Sequence, residues 1–327
     1  MNTISVKPYF KTTKKYLHHL FPLERRLFLY DINTNRSIFY PLTGSDDEIP
    51  LYPSTIFTPE LDLYILGGLH PKTHEYMNSL LKYDKMQGLI TLSKLLEKKM
   101  AFGLCCIAGL IYIFGGKTKD NERIDLCERY SIKTNKWEPI GKMKEKRSSP
   151  GVCSFKEEEI YLFFGTDSKS SSPTEMIEQY NIKTNSWVSI YPVNWLNGFE
   201  KSQITCHQIN ENQILLFGGV NRVEGEGKDE KIYKFCTRMM IFDVIYKNFE
   251  NWGNALPQGS LNLGQSFIEN NNLYALRTLP KSSDNQFESG FAVLRITDML
   301  EPSYINVINC NDIKTMMKLQ KQGEKME

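Results

Sequence analysis

A chain of 327 residues with 41% hydrophobic and 24% charged positions is long enough to bury a large core and too apolar for wholesale disorder. Its formal charge of +2 gives no concentrated basic surface for nucleic acid. No apolar run approaches the roughly 20 residues of a membrane-spanning helix. The seven cysteines (Cys105, Cys106, Cys127, Cys153, Cys206, Cys236 and Cys310) are odd in number and hold no Cys-x-x-Cys pair. That pattern favours reduced thiols in a cytoplasmic chain. None of the five histidines has ligand spacing to a cysteine pair, so neither a metal nor a cofactor is expected.

The chain opens with a basic segment, residues 1–22, in which Lys7, Lys11, Lys14 and Lys15 precede the first acid, Glu24. No apolar core or clear amphipathic helix accompanies these lysines, which argues against a transit peptide. The segment is expected to help complete the first structural unit. Next comes "YDINTNRS" (Tyr30 to Ser37), running into the apolar "SIFYPL" (Ser37 to Leu42). "LDLYILGG" (Leu61 to Gly68) follows, and then Tyr83 with Ile90 seven residues on.

From there the same words recur. "GLCCIAG" (Gly103 to Gly109), "LIYIFGG" (Leu110 to Gly116) and "YSIKTNKW" (Tyr130 to Trp137) make one set. "GVCSF" (Gly151 to Phe155), "EIYLFFG" (Glu159 to Gly165) and "YNIKTNSW" (Tyr180 to Trp187) make the next. "ITCHQI" (Ile204 to Ile209) and "QILLFGG" (Gln213 to Gly219) precede the pair Phe242 and Phe249. A last set holds "GQSFIE" (Gly264 to Glu269), "NLYALRT" (Asn272 to Thr278), Leu294 and "YINVI" (Tyr304 to Ile308). The tail, residues 311–327, is charged and reads as solvated.

The anchors Gly67, Gly115, Phe164 and Gly218 lie 48, 49 and 54 residues apart, a period that belongs to propeller blades. Each unit reads as four short strands with turn residues between them and almost no helical periodicity, hence a radial all-β array. In the "TN" turns, Asn tolerates the positive φ that tight hairpins demand. The spaced Tyr and Trp are expected to fill the gaps between blades.

On these residues the chain resembles the kelch family. The resemblance is carried by Gly67–Gly68, Gly115–Gly116 and Gly218–Gly219, by Tyr130 with Trp137, Tyr180 with Trp187 and Tyr83 with Ile90, and by the linkers "LLEKKMAFGL" and "KMKEKRSSPGV". Gly165 keeps half of its pair behind Phe164, and Arg277–Thr278 replaces both glycines. The resemblance implies a kelch-type β-propeller over residues 23–310. Six candidate third strands suggest six four-stranded blades, with five or seven as alternatives.

The family also implies protein partners, either cytoskeletal ones such as actin or substrates of ubiquitin ligases. Its usual BTB and F-box companions do not fit in the short flanks, so an adaptor role is expected to use a separate linking subunit. Some kelch-like propellers are copper oxidases, but five scattered histidines offer no ligand set. The carboxylate runs Asp46–Asp47–Glu48 and Glu157–Glu158–Glu159 fall in turns and read as solvated charge, and no nucleophile, zinc or phosphate-loop motif is present. No catalytic residue is expected.

Binding is expected on the face where second-to-third-strand loops meet the blade linkers. Candidate partner-binding residues there are Lys117, Lys119 and Arg123 in one loop and Asn221, Arg222, Glu224 and Lys228 in the long loop Val220 to Phe235. Lys146 and Arg147, in a linker, complete the set. With Lys94, Lys98, Lys99, Lys142 and Lys144 these linker cations would suit an acidic or phosphorylated peptide. The expected role is a non-catalytic scaffold or adaptor. The competing role is a sugar- or small-molecule-processing enzyme at the propeller mouth.

Overall fold

The computed structural model describes residues 16–308 apart from positions 35, 45–47, 61, 85–86, 167–175, 195–202, 225–230, 237, 254–259, 270–271, 280–289 and 298–300. All regular structure in it is β. The first sheet holds β1 (Tyr16–Phe21), β2 (Arg26–Asp31) and β3 (Arg36–Pro41). The second holds β4 (Ser54–Phe57), β5 (Leu63–Leu66), β6 (Leu80–Asp84) and β7 (Gly88–Thr91). The third is β8 (Gly103–Ile107), β9 (Leu110–Phe114), β10 (Cys127–Ser131) and β11 (Lys136–Ile140). The fourth is β12 (Gly151–Phe155), β13 (Glu159–Phe163), β14 (Ile177–Asn181) and β15 (Ser186–Ile190).

In the fifth blade β16 (Ile204–Gln208) and β17 (Gln213–Gly218) are followed by a separate hairpin, β18 (Val220–Glu224) with β19 (Lys231–Phe235). The blade resumes with β20 (Met239–Asp243) and β21 (Asn248–Gly253). The sixth is β22 (Ser260–Glu269), β23 (Asn272–Leu279), β24 (Gly290–Thr297) and β25 (Glu301–Ile308). Pairing runs in sequence order within each sheet, the inserted hairpin aside, and is antiparallel throughout.

The sheets form a ring because each shares a core with the next. Cys105, Phe114 and Tyr180 belong to the core between the third and fourth blades. Cys153, Phe163 and Phe242 belong to the one between the fourth and fifth. Leu17, Tyr30, Phe267 and Leu276 close the ring between the sixth sheet and the first. A buried side chain of this size contributes about 1.5–3 kcal/mol, so the six interfaces hold the fold together. Tyr130 opposes Trp137 and Tyr180 opposes Trp187 across their hairpins. Asn135 and Asn185 take φ of 52° and 51° in the turns.

Three expectations are corrected. Among the described residues only five sheets have four strands, and the first has three. Tyr30 therefore lies on a middle strand rather than a third one. β2 ends at Asp31 and β3 begins at Arg36, so the long loop that follows the second strand in the other blades is absent here. Tyr83 opposes Leu89 instead of Ile90, because its turn is one residue shorter. The stretch read as a long loop at 220–235 is the hairpin β18–β19, in register from Val220↔Phe235 to Glu224↔Lys231. β-Branched and aromatic residues at Val220, Val223, Ile232, Tyr233 and Phe235 outweigh its polar ones. The tail, residues 311–327, lies outside the described residues.

Candidate functional site

The inner strands β1, β4, β8, β12, β16 and β22 surround a central cavity of about 1170 Å³. Alternate side chains of each inner strand go to opposite neighbours. Cys105 and Ile107 enter the core shared with the fourth blade, while Leu104 and Cys106 lean on the core shared with the second and border the cavity. Polar groups at the wall pair across blades: His18 Nε2 with Thr55 Oγ1 at 3.1 Å, and His207 Nε2 with Ser266 Oγ at 2.7 Å. Among the described residues no Lys or Arg lines the cavity, and its carboxylates are Glu24 and Glu157, both in exposed inner turns. Burial pushes the thiols of Cys105, Cys153 and Cys206 up, which leaves them poor nucleophiles. Burial also pushes the His19 imidazole down to about 4.

The linker-side mouth has an unusual backbone. Tyr52, Ala101, Ser149 and Gln203, in the linkers just ahead of β4, β8, β12 and β16, all take left-handed φ, at 51°, 55°, 53° and 58°. The N–H of Ser149 donates to the carbonyl of Ala101 at 2.6 Å, and that of Gln203 to Ser149 at 3.0 Å. Non-glycine residues held there cost about 1 kcal/mol each and cluster where function over-determines the backbone. The frame is the same on four blades and its side chains are all different.

The diglycines support this frame. A Cβ on Gly115 would lie 2.3 Å from the carbonyl oxygen of Arg147, in the linker leaving the blade. One on Gly116 would lie 2.8 Å from that of Met100, in the linker entering it. Gly67 and Gly68 meet Lys99 and Leu51 in the same way, both at 2.5 Å. Gly165 meets Ser148, while Phe164, at φ 54°, is buried and stacks on Phe249 at 5.9 Å. Gly218 and Gly219 also have positive φ.

The expected cationic patch is overturned at its centre. Arg147 is fully buried and donates to Glu178 at 2.6 Å and to the carbonyls of Phe164 and Met176 at 3.0 Å each. It is a structural latch and is removed from the partner-binding set. Lys99 repeats the device with Glu128 at 2.6 Å, both side chains inaccessible. The carboxylates also accept backbone N–H groups, from Lys144 on Glu178 and from Leu96 on Glu128. Each third strand thereby holds the linker that enters its own blade. Burial pushes the Glu178 carboxyl up and the Arg147 guanidinium down; at 2.6 Å each supplies the other's counter-charge.

The remaining candidates are dispersed. Lys146 is exposed and paired with Glu122 at 2.8 Å, and Lys142 lies 3.6 Å from Asp125. Lys117 pairs by backbone with Met100 and Arg123; burial and the Arg123 charge lower its amine. Arg123 donates to the carbonyl of Asn121, and Lys119 is exposed. Asn221, Arg222 and Glu224 lie on the backbone of β18, and Lys228 lies outside the described residues. Sequence reasoning missed Glu128 and Glu178. Their signal was the shared Glu two residues before each Tyr, in "CERY" and "IEQY".

Residues 100–144 match the family model of the kelch motif. Among solved structures, one titled as the structure of YjhT superposes with a TM-score of 0.68. That match covers 92% of this chain and 100% of the other at 13% sequence identity. No curated protein sequence matches the chain.

Proposed function

We propose that this β-propeller, whose residues 100–144 match the kelch motif, is a non-catalytic interaction module, a cytoplasmic scaffold or adaptor that receives a partner segment at the linker-side mouth of its cavity. The observation that carries this reading is the rim of Tyr52, Ala101, Ser149 and Gln203: one strained backbone conformation, kept on four blades, presenting four different side chains. A rigid frame with variable side chains is how loops on a scaffold recognise a partner. The cavity behind it has no basic lining among the described residues, and the linker cations Lys99 and Arg147 are spent inside the blades. An uncharged partner segment therefore suits the site better than an acidic one. A processing enzyme at the same mouth would need a general acid or base. Of the three described histidines that line the cavity, His18 and His207 hydrogen-bond the hydroxyls of Thr55 and Ser266, and burial makes the His19 imidazole a weak base.

Affinity purification with the full chain tests the reading. Tyr52 is 73% exposed and Gln203 is exposed, so Tyr52→Ala with Gln203→Ala should leave the fold intact. Proteins recovered with the wild type should fall by roughly tenfold or more with the double variant, as for loss of interface anchors. Equal recovery would overturn the placement.

A further inference from the structure

We infer that the outer edge of the fourth blade is a self-association surface, through which two copies of this chain pair β15 with β15 antiparallel about a two-fold axis. The blades themselves make the case. An exposed outer strand is a template for pairing unless proline or charge blunts it. On β11 both guards are present: Pro139, and Glu138 paired with Arg129 at 2.6 Å. At the same register positions β15 carries Ser189 and Val188, opposite Glu178 and Gln179. Glu250 stands opposite Ile241 in the fifth blade, so Val188 alone of the three is uncharged. Pro139 has no N–H and its strand still pairs, so at this position the N–H is directed away from the neighbouring strand. Ser189 therefore offers a donor on the open side.

The surroundings are also apolar where the sister blades are polar. The hairpin turns carry Lys133–Thr134 and Lys183–Thr184 in the third and fourth blades, but Ile245–Tyr246 in the fifth. These two are 59% and 73% exposed. The linker after β15 adds Tyr191 and Val193, at 72% and 80% exposure, with Val188 at 52%. The N–H of Val193 donates to the carbonyl of Lys247 at 2.8 Å, joining the two groups into one surface. Half of the molecule's exposed large hydrophobic side chains stand here, five of the ten among the described residues, and a cluster of that kind marks an interface.

Charge selects the occupant. A two-fold antiparallel pairing centred on the strand sets the middle residue opposite its own copy and pairs the residues on either side with each other. Ser186, Trp187, Val188, Ser189 and Ile190 place no like charges together, whereas β11 would oppose Glu138 to Glu138. A second copy therefore fits this edge and is refused by its sister.

Size-exclusion chromatography with light scattering, run as a concentration series on the full chain, tests the inference. The wild type should approach the mass of two 38.0 kDa chains as concentration rises. Val188→Glu with Ser189→Pro, which copies the guards of β11, should stay at one chain. Ile245→Lys with Tyr246→Thr, which copies the sister turns and leaves β15 untouched, should weaken the dimer roughly tenfold; it also covers the case in which the proline variant fails to fold. A wild type that stays monomeric, or guarded variants that dimerise as tightly as the wild type, would overturn the inference. The rim variant should dimerise normally, so the two surfaces fail or stand separately.

Discussion

Burial holds the His19 imidazole, on the inner strand β1, neutral down to about pH 4, against an unfolded value near 6.5. A lowered folded pKa means that the unfolded chain binds the proton first. The stability this contributes is complete above pH 6.5 and is lost as pH falls towards 4, on the order of 2–3 kcal/mol in all. Denaturant midpoints measured from pH 7 to pH 4 should therefore fall more steeply for the wild type than for His19→Gln, and parallel slopes would contradict the assignment. Other residue-scale features were legible in the sequence only in part. Asn in the "TN" turns announced its left-handed φ, because few side chains tolerate it. Ala101, Ser149 and Gln203 announced nothing, since their φ is imposed by the packed linkers and diglycines around them. Phe164 takes the glycine's conformation and offsets the strain by stacking on Phe249.

At the scale of elements, strands were the easiest objects to read. Period-two burial and tight turns are local properties, so "GVCSF" and "QILLFGG" became β12 and β17 nearly as written. The linkers were misread, because whether a lysine or arginine is solvated depends on a carboxylate about 30 residues away. Arg147 and Glu178 form the latch that this reading lacked. Removing one partner of a buried ion pair leaves an uncompensated charge and costs about 3–5 kcal/mol, whereas replacing both with apolar residues of similar size is often nearly neutral. Arg147→Ala or Glu178→Ala should thus lower unfolding free energy by about that amount in denaturant titrations, and Arg147→Met with Glu178→Leu should recover most of it. Additive losses in the double variant would show that the pair is not a coupled latch. The hairpin β18–β19 was misread for a related reason: its mixed charges suggested a loop, and the alternation that makes it pair was short and interrupted by glycines.

At the scale of the whole molecule, six sheets share six cores around one cavity, and the repeated words of the sequence account for those cores. The parts that do not repeat divide between two places. One is the linker-side mouth, where four blades give one backbone frame four different side chains. The other is the outer edge of the fourth blade, where the guards of its sister are missing. The first carries the central claim, that the propeller works by holding a partner at that mouth. Hydrogen–deuterium exchange of the full chain, alone and bound to a protein it recovers, tests this most directly. The expected footprint is slowed exchange in the linkers around Tyr52, Ala101, Ser149 and Gln203, with the inner turns at residues 22–25, 108–109 and 156–158 unchanged. Protection confined to those inner turns or to the outer strands, with the four linkers unaffected, would contradict it.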